Sequence, residues 1–150
     1  MKPFFSSLFL LLAIVTVNSQ SKLPYYEVPH AAVEYTAGAV VSRMVDGLGF
    51  RYYWATEGLV KKDLVFKPNK ESRTTLETVD HILSLSQVIL NATLSKKNGE
   101  KQPKMTFAEK RKKTLENLKQ ASDILKTSKD LSQYKIIFGK KEFPFWNAIN

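Results

Sequence analysis

The residues that could carry chemistry in this chain are few. There are two histidines, His30 and His81, and no cysteine. The lack of cysteine excludes thiolate nucleophiles, thiolate metal sites and disulfide bonds. No glycine-rich phosphate loop and no GxSxG, HExxH or CxxC pattern occurs, and no spacing supports a Ser-His-Asp triad. The chemistry that the sequence permits therefore centres on histidine.

His81 is the stronger candidate, because it lies inside a predicted helix at the border between a polar strip and an apolar face. A side chain at that border can join an open metal or acid–base site at the rim of a helix bundle. The alternative is a hydrogen-bonded, half-buried histidine with no ligand role. His30 follows Pro29, and we expect it on the surface or as a helix cap.

A zinc or nickel site needs about three protein ligands, so His81 alone does not make one. Asp80 points about 100° away on the same helix and is a poor partner. Glu34, Glu109 and Asp123 are conceivable ligands from other helices, but no spacing favours any of them.

The triplet Asn91-Ala92-Thr93 matches a glycosylation sequon. Its place inside a predicted helix favours an incidental match.

The amino terminus is typical of a secretory signal peptide, with Lys2 followed by the apolar stretch 4–17 and a polar end at 18–20. We predict a signal peptide over residues 1–19, cleaved after Ser19, and a secreted or periplasmic mature protein. A membrane anchor is the alternative, but a spanning helix needs about 20 apolar residues. We expect no stable membrane span after cleavage, and residues 20–150 suffice for one domain.

The formal net charge is +9, and much of the excess lies between Lys96 and Lys119. Such a basic region can bind polyanions or lipid headgroups. No aromatic residues alternate with these lysines as a base-stacking surface requires, so we do not expect a nucleic-acid partner. The alternative is a solvated loop and helix face without a partner.

Periodic apolar residues predict an all-α, antiparallel helix bundle. Helix one is expected over about 29–54, with Val33, Ala37, Val40, Met44, Val45 and Leu48 as its apolar stripe. Helix two is expected over about 75–94 and helix three from 106 to about 126–129, each starting with a capping box. Helix three is interpreted as a plain surface helix.

The carboxyl-terminal tail has a different pattern. Residues 134–138 are expected to be extended, and residues 139–141 to turn. The segment 143–149 resembles the first turn of a fourth helix, with Pro144 near its start. Because three long helices leave one flank of a bundle open, we expect a further carboxyl-terminal segment. The alternative is a three-helix domain with a tail that folds back.

Several short motifs, taken in order, resemble the DinB-like family of four-helix proteins. They are the segment Arg51-Tyr52-Tyr53-Trp54-Ala55-Thr56-Glu57-Gly58-Leu59, then Asp63-Leu64 and Lys67-Pro68, and then Arg73-Thr74-Thr75-Leu76-Glu77, His81-Ile82 and Leu85-Ser86. The segment 143–150 also resembles the start of that family's fourth helix.

This resemblance implies a four-helix bundle with long crossover connections and a divalent metal, nickel or zinc. His81 matches the family's helix-two ligand. The two further ligands, a His or Asp and a His four residues later on helix four, are expected beyond residue 150. The resemblance also implies a small-molecule substrate and is compatible with a homodimer.

The family includes metal-dependent transferases or isomerases that use small thiols, and hydrolases. Export argues against cytosolic thiol cosubstrates, so a hydrolase or an unassigned metal role is the first expectation. A non-catalytic module that binds a partner or an anionic surface through its basic region is the second. A metal-free bundle in which His81 merely packs is the third.

Overall fold

The architecture is described by a computed structural model covering residues 22–149. The predicted signal peptide, residues 1–19, lies outside these residues. The described part is mostly helical, as predicted, with a small sheet. Its elements are α1 (Ala37–Thr56), α2 (Lys61–Leu64), α3 (Thr75–Thr93), β1 (Lys97–Asn98), α4 (Phe107–Lys126), β2 (Lys135–Phe138), β3 (Lys141–Pro144) and a 3-10 turn (Phe145–Ala148).

Helices α3 and α4 begin as the sequence predicts. At the start of α3, the Thr74 amide donates to Glu77 Oε2 (2.6 Å) and the Glu77 amide donates to Thr74 Oγ1 (3.0 Å). Thr106 and Glu109 repeat this exchange at the start of α4. The backbone hydrogen bonds hold the pKa of both glutamates below its usual range. Both predicted capping boxes are confirmed.

Helix α1 begins eight residues later than predicted, at Ala37. Thr36 caps it by accepting from the Ala39 amide (3.1 Å), while its hydroxyl donates to the Ser128 carbonyl (3.1 Å). The preceding residues do not extend the helix, because they pack across α1 and α4 instead. Tyr25 lies against Gly49 of α1, and the His30 carbonyl accepts from Lys126 of α4.

Of the predicted apolar stripe of helix one, Val45 is buried, but most of the stripe faces solvent. Val40, Met44 and Leu48 are exposed, and Met44 retains 54% of its accessible area. Besides Val45, the buried face carries small, polar and aromatic residues: Gly38, Ser42, Asp46, Gly49, Tyr52, Tyr53 and Thr56. Glycine and serine on this face let the backbones of α1 and α4 approach closely, which larger aliphatic side chains would prevent.

Helix α4 is central rather than a plain surface helix, because it packs along both α1 and α3. Leu115, Leu118 and Leu125 are completely buried on it. The hydrogen bond of Ser122 to Asp46 and the ion pair of Arg111 with Glu57 show that α4 runs antiparallel to α1.

Helix α4 runs parallel to α3, which corrects the expectation of a purely antiparallel bundle. Lys110 pairs with Asp80 (2.6 Å), and Asn117 bonds to Ser86 farther along both helices. The residues between the two helices must therefore cross from the end of α3 back to the level of its start.

The carboxyl-terminal tail forms a hairpin where a fourth helix was predicted to start. Strand β2 pairs in parallel with β1 and antiparallel with β3, in the order β1-β2-β3. Gly139 has φ +60° at the first position of the two-residue loop, which suits a type II′ turn. Phe143 pairs with Ile136, so the backbone of this segment is satisfied by the ladder. The extended segment 134–138 and the turn that follows it are confirmed. Of the segment 143–149, Phe143 and Pro144 belong to β3 instead of a helix, and Phe145–Ala148 form a single 3-10 turn.

Gly38 should be the least replaceable glycine of α1. An added Cβ would lie 2.2 Å from the Ser128 carbonyl oxygen and 2.3 Å from that of Leu125. We expect Gly38→Ala to lower the free energy of unfolding by about 2 kcal/mol or more, because both obstacles are backbone atoms. Urea denaturation measures the change.

Gly47→Ala is the matched control, since its added Cβ meets nothing closer than the Arg51 guanidinium at 3.7 Å. Removing a glycine from an open helical position should raise stability by about 0.5–1 kcal/mol. Equal losses in the two variants would contradict the proposed role of Gly38 in helix contact.

Candidate functional site

His81 is exposed on α3, so its interpretation as a half-buried packing residue is not supported. Neighbouring Asp80 is held by Lys110 across the helix contact. Over residues 22–149 there is no group of three His, Cys, Asp or Glu side chains that could hold a metal ion. The described residues therefore do not fit a complete metal centre. The ligand role of His81 stays a prediction that depends on donors outside them.

The conceivable co-ligands lie elsewhere in the fold. Glu109 belongs to the capping box at the start of α4. On the same helix, both carboxylate oxygens of Asp123 accept hydrogen bonds from Lys119 Nζ, at 2.6 and 2.7 Å. Glu34 lines a cavity beside α1 together with His30, which is exposed as expected. None of these three carboxylates is brought into a donor group with His81.

The structure divides the basic region between Lys96 and Lys119 into two parts. Four of its members on α4 pair with carboxylates: Lys110 with Asp80, Arg111 with Glu57, Lys112 with Glu116 and Lys119 with Asp123. Arg111 has a structural task as well. Its guanidinium donates to the Tyr53 carbonyl and the Thr56 hydroxyl, which closes the carboxyl end of α1.

Lys113 of α4 is exposed and makes no ion pair within residues 22–149, and the four lysines that precede α4 join those of the hairpin. Strand pairing sets Lys97 opposite Ile137 of β2, and Lys141 opposite Phe138. We define the lysine surface as Lys96, Lys97, Lys101, Lys104, Lys135, Lys140 and Lys141, all of which are exposed. Two exposed glutamates, Glu100 and Glu142, lie within it. Phe138, Phe143 and Trp146 add exposed aromatic area, and Trp146 retains 64% of its own.

A second site, which sequence reasoning missed, is built around a buried carboxylate on α1. Asp46 is 3% exposed, and its Oδ1 accepts from Tyr25 Oη (3.1 Å) and Ser122 Oγ (2.6 Å). Ser42 Oγ lies 2.9 Å from Ser122 Oγ. Because Ser122 donates its proton to Asp46, Ser42 must donate to Ser122. The sequence signal was available, since Ser42 and Asp46 are polar residues four apart in a largely apolar helix.

Tyr25 is held in an uncommon backbone conformation at this site. Its φ is +72°, a left-handed value that is rare for a bulky residue. An added Cβ on Gly49 would lie within 2.6 Å of the Tyr25 ring, so the ring fits only because residue 49 is glycine. Burial, followed by the neighbouring charge of Asp46, raises the pKa of the Tyr25 hydroxyl well above its ordinary value. Strain of this kind persists only where surrounding contacts enforce it.

A third polar cluster is structural. Asn91 is buried and donates to Asn98 Oδ1 (2.9 Å), while Gln87 donates to Asn91 Oδ1 (2.9 Å). Asn98 in turn donates to the Ile137 carbonyl of β2 (3.1 Å). These bonds attach the sheet to α3. Because the Asn91 amide is buried and engaged, the sequon that begins there is inaccessible in the folded protein.

Comparisons with family models, with curated proteins and with solved structures found no match. In the part of the chain that the structure describes, no helix has the length and apolar character needed to cross a membrane.

The hydrogen bond between Tyr25 and Asp46 should make stability depend on alkaline pH. A tyrosine whose pKa is raised on folding stabilises the protein fully below its unfolded pKa of 10.0. Above that pH the unfolded chain loses the proton first, so the contribution falls. We expect Tyr25→Phe to cost about 1–3 kcal/mol at pH 7 and clearly less at about pH 12. Denaturant unfolding of both proteins at each pH measures this difference.

Tyr26→Phe is the control, because Tyr26 is partly exposed and packs on Tyr53 and Trp54 through its ring. It should change stability little at either pH. A cost for Tyr25→Phe that is constant from neutral to alkaline pH would count against the assigned hydrogen bond.

Proposed function

We propose that this protein is a non-catalytic binding module that attaches to an anionic surface through its lysine surface. The observation that carries the proposal is the division of the basic side chains. Four of the six basic side chains on α4 are paired with carboxylates, whereas the seven of the lysine surface project from the crossover and the hairpin and make no ion pair within residues 22–149. Exposed charge without a carboxylate partner attracts polyanions and accelerates their association.

The aromatic residues of the hairpin support attachment to a lipid surface. Phe143 and Trp146 are exposed beside Lys141 and Lys135, in a segment of fewer than fifteen residues. Lysine attracts anionic headgroups, while tryptophan and phenylalanine gain from burial at the boundary between headgroups and acyl chains. Lys141 and Phe143 lie two residues apart in β3, so their side chains are on the same face of that strand, and Trp146 follows in the 3-10 turn.

Reversing three hairpin charges tests the proposal. We expect the triple variant Lys135→Glu, Lys140→Glu, Lys141→Glu to bind vesicles of anionic phospholipid at least about 100-fold more weakly. This follows from about 1 kcal/mol lost for each removed lysine. Vesicle co-sedimentation at low salt measures binding, and wild-type binding should weaken steeply as salt screens the charges.

The matched control reverses Lys61, Lys62 and Lys67 in the connection between α1 and α3. These lysines are exposed and their reversal changes the net charge equally. They precede α3, whereas the hairpin is attached to the other end of α3 through β1 and Asn98. The length of a 19-residue helix, about 28 Å, therefore separates them from Lys135, Lys140 and Lys141. Equal loss of binding in both triple variants would show attraction by net charge alone and defeat the proposed surface.

A second candidate function is the DinB-like metal-dependent enzyme, in which His81 supplies one ligand. It is supported by the exposure of His81 on α3 and by the crossover between α3 and α4. Because residues 22–149 hold no complete donor group, the other ligands of such a site would lie outside them. This candidate includes a small-molecule substrate and a homodimer. The secreted or periplasmic location is proposed from the signal-peptide pattern of residues 1–19.

His81→Ala separates this second candidate from the first. If His81 is a ligand, nickel or zinc should raise the thermal midpoint of the unchanged protein, and the variant should lose that rise. His30→Ala is the control, since His30 is also exposed but has no assigned ligand role. Metal-induced shifts that persist in His81→Ala would remove His81 from the metal site.

A further inference from the structure

A cavity of about 520 Å³ lies between α1 and the segment that precedes it. The apolar side chains of Ala31, Ala32, Val40 and Met44 form much of its lining. Its volume falls within the range of sites that hold small organic molecules. The cavity is separate from the lysine surface and from His81, so the functions proposed above do not use it.

Asp46 and Ser42 also line this cavity, which gives an otherwise apolar space a carboxylate. Asp46 Oδ1 is occupied by the Tyr25 and Ser122 hydroxyls. Its Oδ2 accepts no hydrogen bond from the residues described. Within residues 22–149, the sole fully buried side-chain polar atom without a partner is Tyr52 Oη. Asp46 Oδ2 is therefore not completely buried, and Asp46 is among the residues that line the cavity.

No basic side chain of the described segment neutralises Asp46 by an ion pair. The segment that precedes α1 forms the roof of the cavity, and two of the basic side chains that line the cavity are hydrogen-bonded to it. Arg43 donates to the Pro29 carbonyl (2.7 Å), and Lys126 donates to the His30 carbonyl (2.6 Å). These bonds fasten the roof segment to α1 and α4. An enclosed carboxylate without a cationic partner is costly, and a ligand cation removes that cost.

We propose that this cavity binds a primary ammonium group carried on a compact apolar body. The ammonium would donate to Asp46 Oδ2, and the apolar body would contact Val40, Met44 and the two alanines of the roof. Glu34 at the mouth adds a second carboxylate. Arg43, Arg51 and Lys126 around the rim disfavour polycations, which selects for a single positive charge.

The strained Tyr25 supports a site whose polar groups are fixed in advance. The left-handed backbone at Tyr25, the glycine beneath its ring and the bond to Oδ1 together hold the Asp46 carboxylate in one orientation. Ser122 donates to the same oxygen, and Ser42 in turn donates to Ser122. A carboxylate held in this way binds a cation without reorganising, which is the condition for selective recognition.

Hexylammonium, hexanol and hexanoate form a matched set of probes for the test, since they share an apolar chain. We expect hexylammonium to bind the full protein at least about tenfold more tightly than either of the others, as measured by calorimetry. Equal affinity for hexanol and hexylammonium would overturn the proposal, because an apolar cavity alone would then explain binding.

Asp46→Asn is the decisive variant, since it keeps an acceptor for Tyr25 and Ser122 while removing the charge. It should bind hexylammonium at least about tenfold more weakly and bind hexanol unchanged. Glu34→Gln, at the mouth, should have a smaller effect. Unchanged hexylammonium affinity in Asp46→Asn would exclude the carboxylate as the recognition group.

If Asp46→Asn does not fold, amide chemical shifts of the unchanged protein give the answer. Hexylammonium should shift the amides of Ser42, Asp46 and Ala32 more than those of the hairpin. Shifts confined to the hairpin or to Glu100 and Glu142 would overturn the proposal, because they would place the cation on surface carboxylates.

Discussion

The contact of α1 with α4 is the interaction on which the rest of the structure depends. Gly38 lets the backbones meet at one end of the contact, and Arg111 closes the carboxyl end of α1 at the other. Between these points the interface is polar, with Asp46 and Ser122 bonded at 2.6 Å. A buried carboxylate gains little net stability, but it allows few alternative arrangements of the two helices. The position of every other element follows from this pair, because α3 packs on α4 and the amino-terminal segment packs across both helices.

Local sequence signals predicted the elements that are stabilised locally. Thr74 with Glu77 and Thr106 with Glu109 fix two helix starts through contacts only three residues apart, and both were identified correctly. The start of α1 was predicted wrongly. Thr36 is fixed as the N-cap partly by its hydrogen bond to the Ser128 carbonyl, which lies 92 residues away in the sequence. The second strand of the hairpin was missed for a similar reason. Pro144 among aromatic residues is compatible with a helix start, and the pairing of Phe143 with Ile136 decides the outcome.

The site around Asp46 shows why periodicity is an incomplete guide to burial. Val40 and Met44 follow helical spacing and were interpreted as core residues, yet they are exposed. Ser42 and Asp46 have the same spacing and are buried, because close helix packing favours small side chains and because donors from α4 and from Tyr25 satisfy the carboxylate. The ligand role of His81 could not be decided from the sequence for a different reason. A metal site is assembled from several elements, so one histidine in register on one helix does not specify the complete ligand set.

The long separation between α1 and its main partner has a consequence for the order of folding. Ser122 is 76 residues beyond Asp46, so much of the chain must be synthesised before α1 can bury its polar face. Until then α1 and α3 exist without the helix that both pack against, and contacts this distant carry a large loop-closure cost. A growing chain therefore cannot acquire native structure helix by helix from its amino end. It must reach α4 before its first helix has a stable place to dock, and this interval is when the nascent protein most needs protection from aggregation.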